Sequence, residues 1–524
     1  MIEKRALAGC VGALLLAGVA GASDERVVKA VREGDRPALR ALIARKADVN
    51  APEVDGTTAL HWAVRAGEVD TVTRLLGAGA NAGAANRYGV TPLSIAAGIG
   101  NVAVIEGLLK AGAKADTVGV EGETVLMIAA RTGRVDAVRL LLAHGANVDA
   151  TERWYGQTAL MWAAAENHAT VVRALVAAGS GVNTRSNVLE APKREISDFR
   201  TDKKGLALQT LLTTFPKGGL TPLLFAARQG SVDAAGVLAS AGADLNLGDP
   251  DGITPMVLAI RNGHYDLAAA LVEKGANVNA ADNAGRTPLY MAVDMHSLDW
   301  IQNRPAALPS GSLDSLDLMK LLLERGANPN LALKTAPPGW KGDALAAQNT
   351  FGAVLSAGST PFLRAAKNAD HEVMRLLLQK GADPATATRS RVTPLMALVG
   401  GLGRKYGADL KVSPEEEKGA LQAITMLLER GADVNAANDA GQTPLHGAAL
   451  VGANGIVSFL VEKGAKLDAR NSQGRTARDE ALRGMTNVDG AQNDPHLDTA
   501  ALLATLMEKR GLPVTGAKAG ETGP

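Results

Sequence analysis

Residues Gly252 to Ala281 read GITPMVLAIRNGHYDLAAALVEKGANVNAA. Thr254 and Pro255 start a helix, because the Thr hydroxyl can cap a free amide and proline at the first helical position loses no needed donor. Met256 to Arg261 make a short apolar helix, which Gly263 ends by supplying a left-handed residue. Leu267, Ala268, Leu271 and Val272 then share one face of a second helix, stopped at Gly275. Ala-Asn-Val-Asn runs extended into the turn Asp282-Asn283-Ala284-Gly285, which leads to the next Thr287-Pro288. The unit is helix, turn, helix, turning loop, and alone it is too short to bury its own apolar face.

The starting threonine recurs at Thr58, Thr91, Thr124, Thr158, Thr221, Thr254, Thr287, Thr360, Thr393, Thr443 and Thr476. The spacings are 33, 33, 34, 63, 33, 33, 73, 33, 50 and 33, so the period is 33 and the long gaps hold insertions. Thr91-Pro92-Leu93, Thr287-Pro288-Leu289 and Thr443-Pro444-Leu445-His446 carry the fullest starts. Gly-Ala-Asn-Val at 145–148 and 275–278 and Gly-Ala-Asp-Val at 431–434 mark unit ends. In phase with the inter-helix Gly and the Leu-Leu pair, these residues resemble the ankyrin repeat family. The likeness runs from about Ser23 to Arg510. It implies an all-α solenoid of about eleven 33-residue helix-turn-helix units, with hairpin-like finger loops on one edge. It also implies a partner site on the concave face made by the fingers and first helices.

The expected layout begins with a signal peptide at 1–22 and an N-terminal capping repeat at 23–55. Repeats at 56–183 lead to an insertion at 184–218, and repeats at 219–330 hold an inter-helix insertion at 297–315. An insertion at 331–357 precedes repeats at 358–473, which hold an inter-helix insertion at 401–418. A C-terminal capping repeat at 474–510 and a disordered tail at 511–524 complete the chain. Terminal repeats need a polar outer face because nothing stacks on it. The run Leu206, Leu208, Leu211, Leu212 and Phe215 predicts a short helix inside the first insertion.

Lys4 and Arg5, the apolar run Ala6 to Val19 and Ala20-Gly21-Ala22 resemble a secretory signal peptide cleaved near Ala22. Leu7-Ala8-Gly9-Cys10 offers lipidation at Cys10 as the alternative, but most of the apolar run follows that cysteine instead of preceding it. A periplasmic or secreted protein of a bacterial cell is expected, with no membrane span after cleavage. Cys10 is the only cysteine, so the mature chain would have no disulfides. Glu3, Lys4 and Arg5 give the leader +1 and the whole chain is +1, so the remainder is about neutral. That argues against nucleic acid as partner, which needs a clear positive excess.

Catalysis needs clustered polar groups that the repeat leaves unexplained. His61 and His446 occupy the His slot of the repeat start, His168 and His264 the inter-helix turn, and His144 precedes Gly145. His296, His371 and His496 lie at or near turns without metal-ligand spacing. No HExxH, CxxC or Gly-x-Ser-x-Gly occurs, and Gly400-Gly401-Leu402-Gly403-Arg404 lacks the Lys-Ser/Thr of a phosphate loop. Asp249-Pro250-Asp251-Gly252 lacks the later bidentate acid of a calcium loop. No catalytic residue, metal or cofactor is expected.

The fold leaves two sets of positions free. The residue two before the inter-helix Gly is Arg65, Arg131, Arg228, Arg261 and Lys367 in five copies, a basic ladder on the concave side that Asp294 and Glu166 interrupt. Such a ladder can meet carboxylates or phosphates; equally, Ala-Ala-Arg-x-Gly is an ordinary repeat sequence. Fingertips are mostly small or polar, except Arg87-Tyr88 and Arg153-Trp154-Tyr155. Exposed Trp, Tyr and Arg dominate interface energies, although Trp154 and Tyr155 could instead fold back on the 184–218 insertion. The sequence therefore points to a monomeric, non-catalytic scaffold that binds a protein partner through groove and fingers. A secreted effector, or an enzyme or accessory subunit with a site built by insertions, are the alternatives.

Overall fold

The computed structural model describes residues 25–189, 217–296, 309–335, 356–402, 412–483 and 495–514. The expected signal peptide at 1–22, the expected helix at 206–215 and most of the expected disordered tail lie outside them. The chain divides into two compact units. The first comprises Met1–Asn187, Thr221–Ala226 and Asp233–Ala243; the second comprises Val188–Leu220, Ala227–Val232 and Asp244–Pro524.

Among the described residues of the first unit, five helix pairs follow one another. They are α1 (Arg26–Arg32) with α2 (Arg36–Ala44), α3 (Ala59–Arg65) with α4 (Val69–Gly77), and α5 (Pro92–Ile99) with α6 (Val102–Lys110). Then come α7 (Val125–Arg131) with α8 (Val135–Ala143) and α9 (Ala159–Ala165) with α10 (Ala169–Ala177). The repeat of α11 (Pro222–Gln229) and α12 (Val232–Ser240) is shared between the units. In the second unit the first helices are α13 (Pro255–Arg261), α15 (Pro288–His296), α17 (Pro361–Lys367), α19 (Pro394–Gly401), α21 (Pro444–Leu450) and α23 (Ala477–Arg483). Their partners are α14 (Tyr265–Glu273), α16 (Ser315–Glu324), α18 (His371–Gln379), α20 (Pro414–Glu429), α22 (Asn454–Glu462) and α24 (Leu497–Lys509).

The threonine caps as its position requires. Thr91 Oγ1 accepts the Ser94 amide at 3.2 Å while Ser94 Oγ accepts the Thr91 amide at 3.0 Å, a reciprocal capping box. At Thr58 and Thr443 the third residue is His, and the Nδ1 of His61 or His446 accepts the threonine amide at 3.1 or 3.2 Å. Five residues after the threonine, Ala63, Ala96, Ala129 and Ala163 are 0–1% exposed. A side chain this small lets neighbouring first helices pack closely, and a larger one there would cost about 1–3 kcal/mol of overpacking. The inter-helix Gly takes positive φ, as at Gly133 (+73°), where a Cβ would meet the His168 ring at 2.8 Å. In the α17–α18 turn this position is Ala369, forced to φ +51°.

The insertions are anchored at their ends. Val188–Leu189 (β1) pairs antiparallel with Lys217–Gly218 (β2), a two-stranded ribbon that the repeat pattern did not signal. An insertion that leaves and rejoins one edge must bring its ends together, and paired backbone does this with its polar groups satisfied. The 331–357 insertion closes likewise, with the Leu333 amide on Ser359 O at 2.9 Å and the Gly358 amide on Leu333 O at 2.8 Å. Residues 309–314 fold back over the preceding inter-helix turn, where Asp266 accepts the Ser312 and Leu313 amides at 2.8 and 2.9 Å. Within 401–418, helix α20 already begins at Pro414, capped by Ser413 and led by Glu415, Glu416 and Glu417. The inter-helix segment is therefore shorter than the sequence spacing implies. Acidic side chains in a first turn favour the helix through its dipole.

Candidate functional site

Each first helix turns the fourth residue after its threonine toward the same face, and those residues differ in exposure along the chain. In the first unit Trp62, Ile95, Ile128 and Trp162 are all half-buried, and only Phe225, at 4%, is covered. In the second unit Leu258 is half-buried, but Met291, Arg364, Ala397 and Glu480 are 0–1% exposed. The open row is therefore the first four repeats.

Charged groups fill two of the closed slots. Arg364, fully buried, donates from Nε to Asp294 Oδ1 at 2.7 Å. Glu480, also fully buried, accepts from Arg475 Nε and Asn471 Nδ2, both at 2.7 Å, and has Arg483 Nε at 3.3 Å. Buried charges persist only when paired and hydrogen-bonded, so these residues serve packing. Asp294, which interrupts the basic ladder, is thus one half of an ion pair.

On the open row, arginines lie over the tryptophan rings. Arg32 and Arg65 stand 6.0 and 5.8 Å from the Trp62 centroid, and Arg131 stands 5.0 Å from that of Trp162. Trp62 Nε1 donates to Glu53 Oε2 at 2.8 Å, and Glu53 Oε1 accepts from Arg32 at 3.0 Å. Trp162 Nε1 donates to Gln157 Oε1 at 2.8 Å. Both indole N–H groups are satisfied, which fixes the rings in plane and leaves apolar surface outward. Each cation over such a ring contributes about 0.5–1 kcal/mol at an exposed site. Arg65 and Arg131 are exposed. Of the other ladder residues, Arg228 is exposed and Arg261 and Lys367 half-buried, all three in the second unit.

The fingers of the first unit carry its other exposed apolar residues. Each tip is a hydrogen-bonded turn: Glu53 N to Thr57 O, Asn86 N to Val90 O, Gly119 N to Glu123 O and Glu152 N to Gln157 O. They expose Val54 (79%), Tyr88 (67%), Val120 (65%), Trp154 (58%) and Tyr155 (51%). The described tips of the second unit, such as Asn283-Ala284 and Ser472-Gln473, expose no large apolar side chain. Neighbouring tips are joined by backbone bonds, from the Arg87 amide to Asp55 O at 2.9 Å and from the Arg153 amide to Glu121 O at 3.1 Å.

The Trp154–Tyr155 tip is one residue longer than the others, and Glu152 holds it. Its carboxylate, 7% exposed, accepts the amides of Trp154 at 2.7 Å, Tyr155 at 2.8 Å and Gln157 at 2.9 Å. At the shorter tips Asn86 or Asp249 accepts only two amides, those of Tyr88 and Val90 or of Asp251 and Ile253. Sequence reasoning passed over Glu152, although the spacing of 34 from Thr124 to Thr158 marks the extra residue.

His296 also has partners that its sequence position did not suggest: Ser315 Oγ lies 2.8 Å from Nδ1 and Asp370 Oδ2 lies 3.3 Å from Nε2. Ser315 is 8% exposed and its hydroxyl is shared with Tyr265. The line clasps α14, α15, α16 and the cap of α18, and does not offer a nucleophile to a substrate. Burial holds His61 and His446 below the usual histidine range, which suits their part in the caps. Among the described residues, no group of three His, Cys, Asp or Glu is placed to hold a metal, and no helix is long and apolar enough to cross a membrane.

Comparison with known proteins agrees with this architecture. The family described as "Ankyrin repeats (3 copies)" matches residues 27–119, 112–186 and 223–303. "Ankyrin repeats (many copies)" matches 427–481, and "Ankyrin repeat" matches 284–333 and 357–389. Together these cover more than half of the chain. The crystal structure of the human ASB11 ankyrin repeat domain is similar at 25% identity and a TM-score of 0.38, over 48% of this chain and 98% of that one. No curated protein matches the sequence.

Proposed function

The chain belongs to the ankyrin-repeat family, and from that premise we propose that it is a non-catalytic scaffold holding a protein partner on its first unit. Proteins of this family generally mediate protein–protein interaction. One observation carries the reading: in the first four repeats the inner slot is an open apolar row and the adjoining tips expose Tyr88, Trp154 and Tyr155. The contact residues are Arg65, Arg87, Tyr88, Arg131, Arg153, Trp154 and Tyr155, with the half-exposed Trp62 and Trp162. Arg228 and Arg261 belong to the second unit and are not among the proposed contacts.

The test is affinity capture with the full chain carrying Trp154→Ala and Tyr155→Ala. A partner retained by the wild-type chain should be lost, while the helical circular dichroism is unchanged. Retention of the same partner by the variant would remove the fingertips from the site. The leader at 1–22 adds a location, the envelope of a bacterial cell or the medium outside it. Amino-terminal sequencing of the protein from fractionated cells should read a start near Ser23 outside the cytoplasm. A start at Met1 in the cytoplasmic fraction would contradict that part.

A further inference from the structure

The inner face of the first unit has a chemical bias beyond being open. Its apolar row, Trp62, Ile95, Ile128 and Trp162, is flanked by the exposed guanidiniums of Arg65 and Arg131. The other cations of this face are already engaged, Lys29 with Glu33 at 4.0 Å and Arg32 with Glu53 at 3.0 Å. Among the described residues, no carboxylate lies within ion-pair distance of Arg65 or Arg131; each is held over a tryptophan ring. The exposed carboxylates on the adjoining inner positions are Glu33, already paired with Lys29, and Glu166, which lies one repeat beyond Arg131.

We infer that the occupant of this face is an extended acidic–apolar peptide segment. This rests on the function proposed above and specifies its partner. Helices packed about 8–10 Å apart put Arg65 and Arg131, two repeats apart, roughly 20 Å from each other. An extended strand advances about 3.3 Å per residue, so that span is about six residues. The segment then carries carboxylates six residues apart, with a large apolar side chain four residues from the acid at Arg65, on the same side of the strand, that seats between Ile95 and Ile128. Its acids form charge-assisted pairs with guanidiniums already oriented by the rings, so little side-chain freedom is lost on binding.

The probe is a fluorescein-labelled peptide with two glutamates six residues apart and a leucine four residues from one and two from the other, so that all three share a face of the strand, titrated into the full chain by fluorescence anisotropy. It should bind more weakly as salt rises, and a peptide with lysines in place of both glutamates should bind at least roughly tenfold less well. Arg65→Gln and Arg131→Gln should each weaken binding about fivefold, near the upper end for one exposed pair. Arg65→Lys and Arg131→Lys should restore much of it, which separates charge from packing on the ring. No binding, equal binding of the lysine peptide, or indifference to both Gln variants overturns the acidic assignment. The inner-face reading fails separately, if Trp62→Ala with Trp162→Ala leaves capture of the protein partner unchanged.

Discussion

Glu152→Ala tests how the aromatic fingertip is built. The carboxylate accepts three amides at 2.7, 2.8 and 2.9 Å in a tip one residue longer than its neighbours. Alanine leaves all three without that acceptor. Because the tip is at the surface, the freed amides turn to water, and the loss is about 1 kcal/mol per bond instead of the full cost of a buried orphan. Three bonds sum to about 3 kcal/mol, and 1.4 kcal/mol is tenfold, so local opening becomes about a hundredfold easier. Hydrogen exchange resolved at single amides reads this directly: Trp154, Tyr155 and Gln157 should each lose about a hundredfold of protection. The Gly156 amide, bonded to the Glu152 main-chain oxygen at 3.2 Å, reports whether the turn itself survives. Glu152→Gln keeps the oxygen that serves Tyr155 and Gln157 and loses the one that serves Trp154, so about fivefold is expected, concentrated at Trp154. Unchanged protection in the alanine variant would refute the claim that Glu152 organises the tip.

Ala369→Gly should stabilise the chain by about 0.5–1 kcal/mol in urea unfolding. Relief of a left-handed L-residue (about 1–2 kcal/mol) exceeds glycine's greater freedom when unfolded; a lower urea midpoint would contradict the strain at φ +51°. Gly133→Ala should destabilise by about 1–3 kcal/mol, since it adds that strain and puts a Cβ against His168, and an unchanged midpoint would count against it. His61 and His446 have folded pKa values held below the ordinary 6.5 by burial. Their contribution is present above pH 6.5 and is lost as pH falls below it toward the folded values, because the unfolded chain then binds more protons. Thermal midpoints should therefore fall from pH 7.5 to 5.5, and His61→Gln with His446→Gln should flatten that slope; an identical slope would contradict the assignment.

The repeat was legible because its conspicuous residues do local backbone work. Thr254, Pro255 and Gly263 act through their own capping and dihedral preferences, and these act alike in each copy that carries them. Tyr88, Trp154 and Tyr155 stood out because the chain is poor in aromatics, 3% of residues, and their tips are otherwise small and polar. Which inner slots are open was not legible. Trp62 and Phe225 are aromatic residues in the same slot, yet one is half-buried and the other 4% exposed. The repeat pattern is the same at both positions, so it does not encode that difference. The Arg364–Asp294 pair joins residues 70 apart across an insertion, so nothing near either residue announced it. Closure of the insertions likewise depends on distant partners, Leu333 with Ser359 and Val188 with Gly218.

The central claim, that the first unit holds the protein partner, is tested most directly by site-specific photocrosslinking in the cells that make the protein. A benzophenone amino acid replaces Tyr88, Trp154 or Trp162 in the first unit, and Asn283, Ser472 or Leu258 in the second. The account predicts one crosslinked protein species from the first three positions and none from the others. Crosslinking from Asn283 or Ser472 with none from Tyr88, Trp154 or Trp162 would contradict it.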